Sequence, residues 1–193
     1  MIRAATEKDI PAMLAIYGGY VETSTATFEY DVPCRKEFMQ RFYTITAQFP
    51  WLVWEEDGEI LGYAYASAPF SRAAYRWCAE PTVYLRPEAQ GKGIAKKLYA
   101  MLEWLLEKQG YQVCYALVCS ENQRSLDFHE KAGYIRRAEL PECGYKFNRW
   151  LGLIWMEKRL KIVGNPSGFP VSWLSIVQKI ENFTDILDNL SLS

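Results

Sequence analysis

Gly91 and Gly93 stand where an extended, apolar segment ending at Pro87 hands over to a long helical pattern, and Lys92, Lys96 and Lys97 follow at once. A helix start carries unpaired N–H groups and a partial positive charge. Glycines let those groups approach a ligand with no Cβ in the way. The chemistry open to such a stretch is holding an anion, and a phosphate or pyrophosphate is the natural guest. On these residues alone, a solvated glycine turn with a lysine-bearing face is the plainer alternative. Two nucleotide patterns do not fit: no GxxxxGK[ST] string is present, and Gly91-x-Gly93-x-x-Lys96 lacks the third glycine of a dinucleotide fingerprint.

His129 is the sole histidine. Its ring titrates near neutral pH and can move protons, although a lone histidine on a helix is more often packed or solvated. No GxSxG-type elbow accompanies it, which argues against a serine hydrolase. The five cysteines (34, 78, 114, 119, 143) contain no CxxC, so with one histidine no metal site is expected.

Positioning falls to the elements around these residues. "IRAA" reads as a short strand, and a helix over roughly 9–19 carries Ile10, Met13, Leu14, Ile16 and Tyr17 on one side. Residues 20–33 read as an ordered loop or irregular extended segment. "CRKEFMQRFYTITAQF" sets Phe38, Phe42 and Ile45 on a helical stripe. "WLVWEE" and "EILGYAYASAP" are strands joined by the hairpin signal Asp57-Gly58. "CAEPTVYLRP" is a third strand; Pro81 withholds a ladder N–H, so an edge or bulge is expected there. A helix over about 91–109 stops at Gly110. "VCYALVC" is apolar enough to be buried on both faces. "ENQRSLDFHEKAGY" is a short helix closed by Gly133, and "GYKFNRWLGLIWMEKRL" supplies two strands around a turn near Asn148.

The 193 residues suit one domain with an appendage, and half of them are hydrophobic, enough for a substantial core. A net charge of −1 argues against a general nucleic-acid binder. No run approaches the roughly 18 apolar residues of a membrane span, and the polar start shows no leader pattern. A cytoplasmic protein with reduced cysteines is expected. Residues 161–171 read as a linker, and residues 172–193 as a C-terminal amphipathic helix packed on the domain or at a dimer interface.

Read as Gln90-x-x-Gly93-x-Ala95 after "TVYLRPE", the glycine stretch resembles the acetyl-CoA signature of the GNAT N-acetyltransferases. "AYRWCAEPTVYL", "ENQRSLDFHEKAGY", "YVETSTATFEYDVP" and "GYKFNRWLGLIWMEKRL" look like the phosphinothricin and methionine sulfoximine acetyltransferase branch. The likeness covers about residues 1–160. It implies an α/β (α+β) fold: a mixed, mostly antiparallel, twisted sheet of six to seven strands, flanked by helices and splayed at the acetyl-CoA site.

The resemblance also assigns roles. Val83, Tyr84 and Leu85 pair through their backbones with the pantetheine arm, and the N–H groups of Gln90, Gly91, Lys92, Gly93, Ile94, Ala95 and Lys96 take the pyrophosphate. Asn122 and Ser125 reach the pantetheine. Glu80, just before Pro81-Thr82-Val83, is the base that deprotonates the acceptor ammonium; its apolar surroundings are expected to raise its pKa. His129 takes the place of a tyrosine that serves other members as the acid. Arg72, Tyr75 and Arg76 select a carboxylate-bearing acceptor, walled by Phe28 and Tyr30. The expected reaction is acetyl transfer from acetyl-CoA, without a metal, to the α-amine of a small amino-acid-like acceptor, by a homodimer that binds neither nucleic acid nor membrane. The alternatives are a protein, lysine or polyamine acceptor, or a non-catalytic CoA-binding module.

Overall fold

The computed structural model describes residues 1–160, 165–166, 168–180 and 182–190. Seven strands form one sheet in the order β1-β2-β3-β4-β5-β7-β6. They are β1 (Ile2–Ala4), β2 (Trp51–Glu56), β3 (Glu59–Ser67), β4 (Cys78–Leu85), β5 (Val113–Cys119), β6 (Ile135–Lys146) and β7 (Arg149–Arg159). Every neighbouring pair is antiparallel except β4 with β5. The helices of the body are α1 (Ile10–Thr23), α2 (Arg35–Thr46), α3 (Ile94–Gln109) and α4 (Gln123–Lys131). This is the mixed, mostly antiparallel, helix-flanked sheet that the resemblance implied.

Alternation along the strands builds two cores. Trp51, Val53, Tyr63 and Tyr84 face α1 and α2, where they meet Met13, Tyr17, Phe38 and Phe42. Leu52, Ala64, Ala66, Ala79 and Leu85 face the other way, onto Leu98, Met101, Leu102 and Leu105 of α3. The β2–β3 turn uses Asp57 and Gly58, both at positive φ, as a two-residue hairpin with right-handed strands requires. Gly62 lies opposite Leu85, and a Cβ there would come 2.8 Å from the Tyr84 carbonyl oxygen and 2.1 Å from Leu85 Cδ2. Gly62→Ala is therefore expected to cost about 1–3 kcal/mol and to lower the thermal midpoint, read by calorimetry.

The edge or bulge expected at Pro81 is a local edge. β4 is a central strand, and its register with β3 runs unbroken from Gly62↔Leu85 to Ser67↔Glu80, with no bulge. The discontinuity lies on its other side. β4 and β5 share only two partner pairs, Cys78↔Val113 and Ala79↔Cys114. Beyond Ala79 the strands part, so Pro81 sits on an edge that opens inside the sheet.

Other boundaries also shift. α1 continues to Thr23, taking in the start of the expected loop, and α3 begins at Ile94, after the glycines. The expected continuous helix over 172–190 is two short ones, α5 (Leu174–Val177) and α6 (Phe183–Asn189). Asn182 breaks it by starting afresh: its side chain accepts the Thr184 N–H at 2.9 Å. Ile176, Val177, Phe183, Ile186 and Leu187 still pack on the α3 side of the body. Trp173 Nε1 donates to the Thr46 carbonyl at 2.8 Å. Part of the expected linker, 161–164 and 167, lies outside the described residues. No described helix is long and apolar enough to cross a membrane.

Candidate active site

The gap between β4 and β5 widens into a cleft of about 770 Å³. Its walls include Glu80 to Leu85, Gln90, Gly91, Gly93 to Lys96, Ala116 to Cys119, Asn122, Ser125 and His129. All the residues expected to serve catalysis or acetyl-CoA thus border one space, except Lys92, which is exposed on the turn.

Glu80 and His129 reach it from opposite faces of the sheet. Directly opposed residues share a face. Glu80↔Ser67, Thr82↔Tyr65 and Tyr84↔Tyr63 are on the α1–α2 side, whereas Pro81↔Ala66 and Val83↔Ala64 are on the α3 side. His129 packs edge-on against Tyr99 and Tyr134 of the α3-side core. Two reactants can therefore enter from two sides and meet through the gap. The Glu80 carboxylate has no hydrogen bond or ion pair among the described residues, and burial raises its pKa above the ordinary carboxylate value. An unpaired carboxylate of raised basicity suits a proton acceptor.

The open edge of β4 has few rungs to offer. The Arg86 N–H donates to the Leu61 carbonyl of β3, and the Trp77 carbonyl accepts from Val113 at the start of β5. By alternation, even-numbered residues of β4 bond to β3 and odd-numbered ones turn toward β5. Past Ala79 the odd residues are Pro81, Val83 and Leu85. Pro81 has no N–H, and its carbonyl accepts from Tyr99 Oη at 3.0 Å. Leu85 is occupied at both groups by Tyr20: its carbonyl accepts from Oη at 2.8 Å, and its N–H donates to Oη at 3.3 Å. Along this edge of β4, Val83 alone keeps both backbone groups open to the cleft. Tyr84 turns its own to β3 and contributes only its side chain.

The glycine turn at the mouth fits a phosphate-bearing guest. Gly91 and Gly93 both adopt φ +77°, and a Cβ built on either meets nothing within 4 Å. Gly93 caps α3 with no side chain in the way. The N–H groups that open α3 thus look onto unobstructed space. Gln90 is pinned between Tyr20, to whose Oη it donates at 3.1 Å, and Arg124, which donates to its Oε1. Arg124 borders the cleft beside the turn and adds a fixed positive charge that the sequence reading passed over.

His129 is buried and engaged at both nitrogens. Nδ1 lies 2.7 Å from the Ser125 carbonyl oxygen and 3.3 Å from Ser125 Oγ. A carbonyl only accepts, so Nδ1 carries a proton. Nε2 lies 2.9 Å from Tyr99 Oη. Burial lowers the imidazole pKa, and the Ser125 carbonyl offsets part of that. Ser125 is, like His129, on the cleft wall.

The expected acceptor residues do not meet this cleft within one chain. Phe28 packs its ring over Gly144, and Tyr30 Oη donates to the Tyr145 carbonyl. The same loop contributes Thr23 to Ala26 instead. It is held by Lys146, a buried ammonium that donates to the Ser24 and Thr27 carbonyls at 2.9 and 2.8 Å. Arg72, Tyr75 and Arg76 are exposed in the β3–β4 connection. Tyr75 stacks near Phe70, and the Arg76 guanidinium lies over Phe169. Tyr20, Tyr99 and Lys146 carry no sequence signal beyond helical or strand spacing. Only Arg124, two residues beyond Asn122 at a helix start, was open to detection.

A sheet parted beside a glycine-opened helix, with an open backbone rung on β4, is the architecture of a GNAT acetyltransferase. Residues 2–155 match the family description "Acetyltransferase (GNAT) domain", and the chain belongs to that family. Among its relatives, a phosphinothricin N-acetyltransferase of Alcaligenes faecalis is 37% identical, covering 82% of each chain. An L-methionine sulfoximine/L-methionine sulfone acetyltransferase of Pseudomonas aeruginosa is 34% identical over 82% of this chain and 94% of its own. The crystal structure of a GNAT superfamily phosphinothricin acetyltransferase from Sinorhizobium meliloti in complex with AcCoA superposes with a TM-score of 0.81 at 33% identity, covering 89% of this chain and 92% of that one.

Proposed function

We propose that this chain transfers the acetyl group of acetyl-CoA to the α-amine of a small amino-acid-like acceptor of the phosphinothricin, methionine sulfoximine or methionine sulfone type. One observation carries the reading: the glycine turn, the open Val83 rung and the unpaired Glu80 carboxylate border a single cleft in that order along β4. The relatives narrow the acceptor.

The donors opening α3, Arg124 and the Val83 backbone would hold the coenzyme, with Asn122 and Ser125 alongside. When bound, acetyl-CoA supplies the activated acyl group. The chain's residues do the rest. An α-ammonium is protonated at neutral pH, and only the neutral amine has a lone pair. Glu80 takes that proton, directly or through a water, from the α1–α2 side. His129, with the Ser125 hydroxyl beside Nδ1, relays a proton on the other side. Release of free thiol tests the reading, with each of the three acceptors offered in turn. Turnover confined to peptides, lysine or polyamines would move the acceptor class. Tight coenzyme binding with no turnover on any amine would reduce the protein to a binding module.

The working form is a homodimer in the cytoplasm. Five unpaired cysteines support the compartment. Phe70, Tyr115 and Trp155 cluster on the face of β5 and β7 opposite α3, beside the segment bearing Arg72, Tyr75 and Arg76. A second copy covering that face would bring those residues into an enclosed site, where they select the acceptor carboxylate with Phe28 and Tyr30 behind them. Sedimentation velocity is expected to give twice 22.4 kDa for the full chain, and Phe70→Asp to return it to the monomer.

A further inference from the structure

The hydrogen-bond chain behind His129 contains a conflict over one proton. Tyr99 Oη lies 3.0 Å from the Pro81 carbonyl oxygen and 2.9 Å from His129 Nε2. It has a single hydrogen to donate. With the imidazole neutral and Nδ1 committed to Ser125, Nε2 has only a lone pair, so Tyr99 must donate there and leave the Pro81 carbonyl. With the imidazole protonated, Nε2–H donates to Tyr99 Oη, and Tyr99 donates to Pro81. Pro81 is next to Glu80 and on the cleft wall.

We propose that Tyr99 is a positioning residue that couples the charge on His129 to the occupancy of the Pro81 carbonyl: a ligand N–H arriving at that oxygen competes with the Tyr99 donor, weakens its bond and so favours Tyr99 at Nε2 and the neutral imidazole. Coupling is reciprocal, so a neutral His129 also favours a donor at Pro81. No atom is transferred; one hydroxyl proton changes acceptor. The surroundings leave few other influences. Phe128 and Tyr134 pack on the ring, Ser125 holds Nδ1, and the carboxylates of Glu80 on β4 and Glu103 on α3 face Tyr99, with Glu103 accepting from Tyr134 Oη. The inference rests on the acetyltransferase reading only through the probe, coenzyme A.

His129 is the only imidazole in the tag-free chain, so its nitrogens can be titrated by 15N NMR without assignment ambiguity. In the free protein, Tyr99→Phe is expected to lower the His129 midpoint by about half a pH unit or more, the worth of one charge-assisted hydrogen bond. An unchanged midpoint would overturn the coupling. Saturating coenzyme A is expected to lower the wild-type midpoint by a similar amount and to leave that of Tyr99→Phe in place. Equal shifts in both proteins would also overturn it. Should Tyr99→Phe not fold, the wild-type midpoint with and without coenzyme A decides: a fall supports the coupling, and none refutes it. Failure of coenzyme A to perturb the Gly91 and Gly93 amide signals would instead count against the acetyltransferase reading, with the free-state comparison still deciding the coupling.

Discussion

Glu80→Gln is expected to lower kcat by about 10²- to 10³-fold while coenzyme A affinity stays within about twofold, since Glu80 touches none of the groups assigned to the coenzyme. The amide keeps the shape and half-buried position of the carboxylate but cannot accept a proton from an ammonium. The pH profile carries a second signature. Glu80 acts in its ionised form, and burial raises its pKa. Wild-type kcat should therefore climb as pH rises through a midpoint above the ordinary glutamate value. In Glu80→Gln that limb should vanish, because the group that titrates is gone. Steady-state kinetics over a pH series, with calorimetry for the coenzyme, checks both parts. Loss of coenzyme binding in the variant would mean that Glu80 lies on the coenzyme's path instead.

Gly93→Val is expected to weaken coenzyme A binding by tenfold or more, with little change in the thermal midpoint. A β-branched residue at φ +77° is strained by about 1–3 kcal/mol. Nothing packs on the Gly93 face, so the turn relieves the strain by rotating away. That rotation takes the helix-opening donors off their common target, and the cost appears in binding rather than folding. Titration calorimetry measures the first quantity and a melting curve the second. A variant that binds coenzyme A as wild type does would remove the glycine turn from the site.

The local features of this fold could be read from the residues. Asp57-Gly58 specified a hairpin through the backbone freedom its turn demands. The glycine and lysine spacing pointed to an anion cradle, whereas Glu80 was named by likeness, from its place just before Pro81-Thr82-Val83. What escaped detection depends on contacts between distant segments. Pro81 announced a missing bond but not which neighbour would be lost, because β3 and β5 flank it equally in sequence terms. Tyr99 looked like any aromatic on an apolar helix stripe; its hydroxyl matters only because Pro81 and His129, 18 and 30 residues away, converge on it. The C-terminal apolar period could not show that Asn182 would start a new helix. Arg72, Tyr75 and Arg76 were placed by likeness alone, and one chain does not bring them to the cleft.

A sheet unzipped in its middle invites invasion, since an extended peptide gains affinity from each main-chain bond it adds to a bare edge. Here proline withholds one hook, a phenol from α3 blunts another, and a phenol from α1 covers two more. On the β4 lip an intruding segment would find Val83 as the one residue open at both groups, too little to nucleate cross-strand stacking there. One lip of a permanent fissure, wide enough for a slender guest, is thus kept from serving as a template for aggregation.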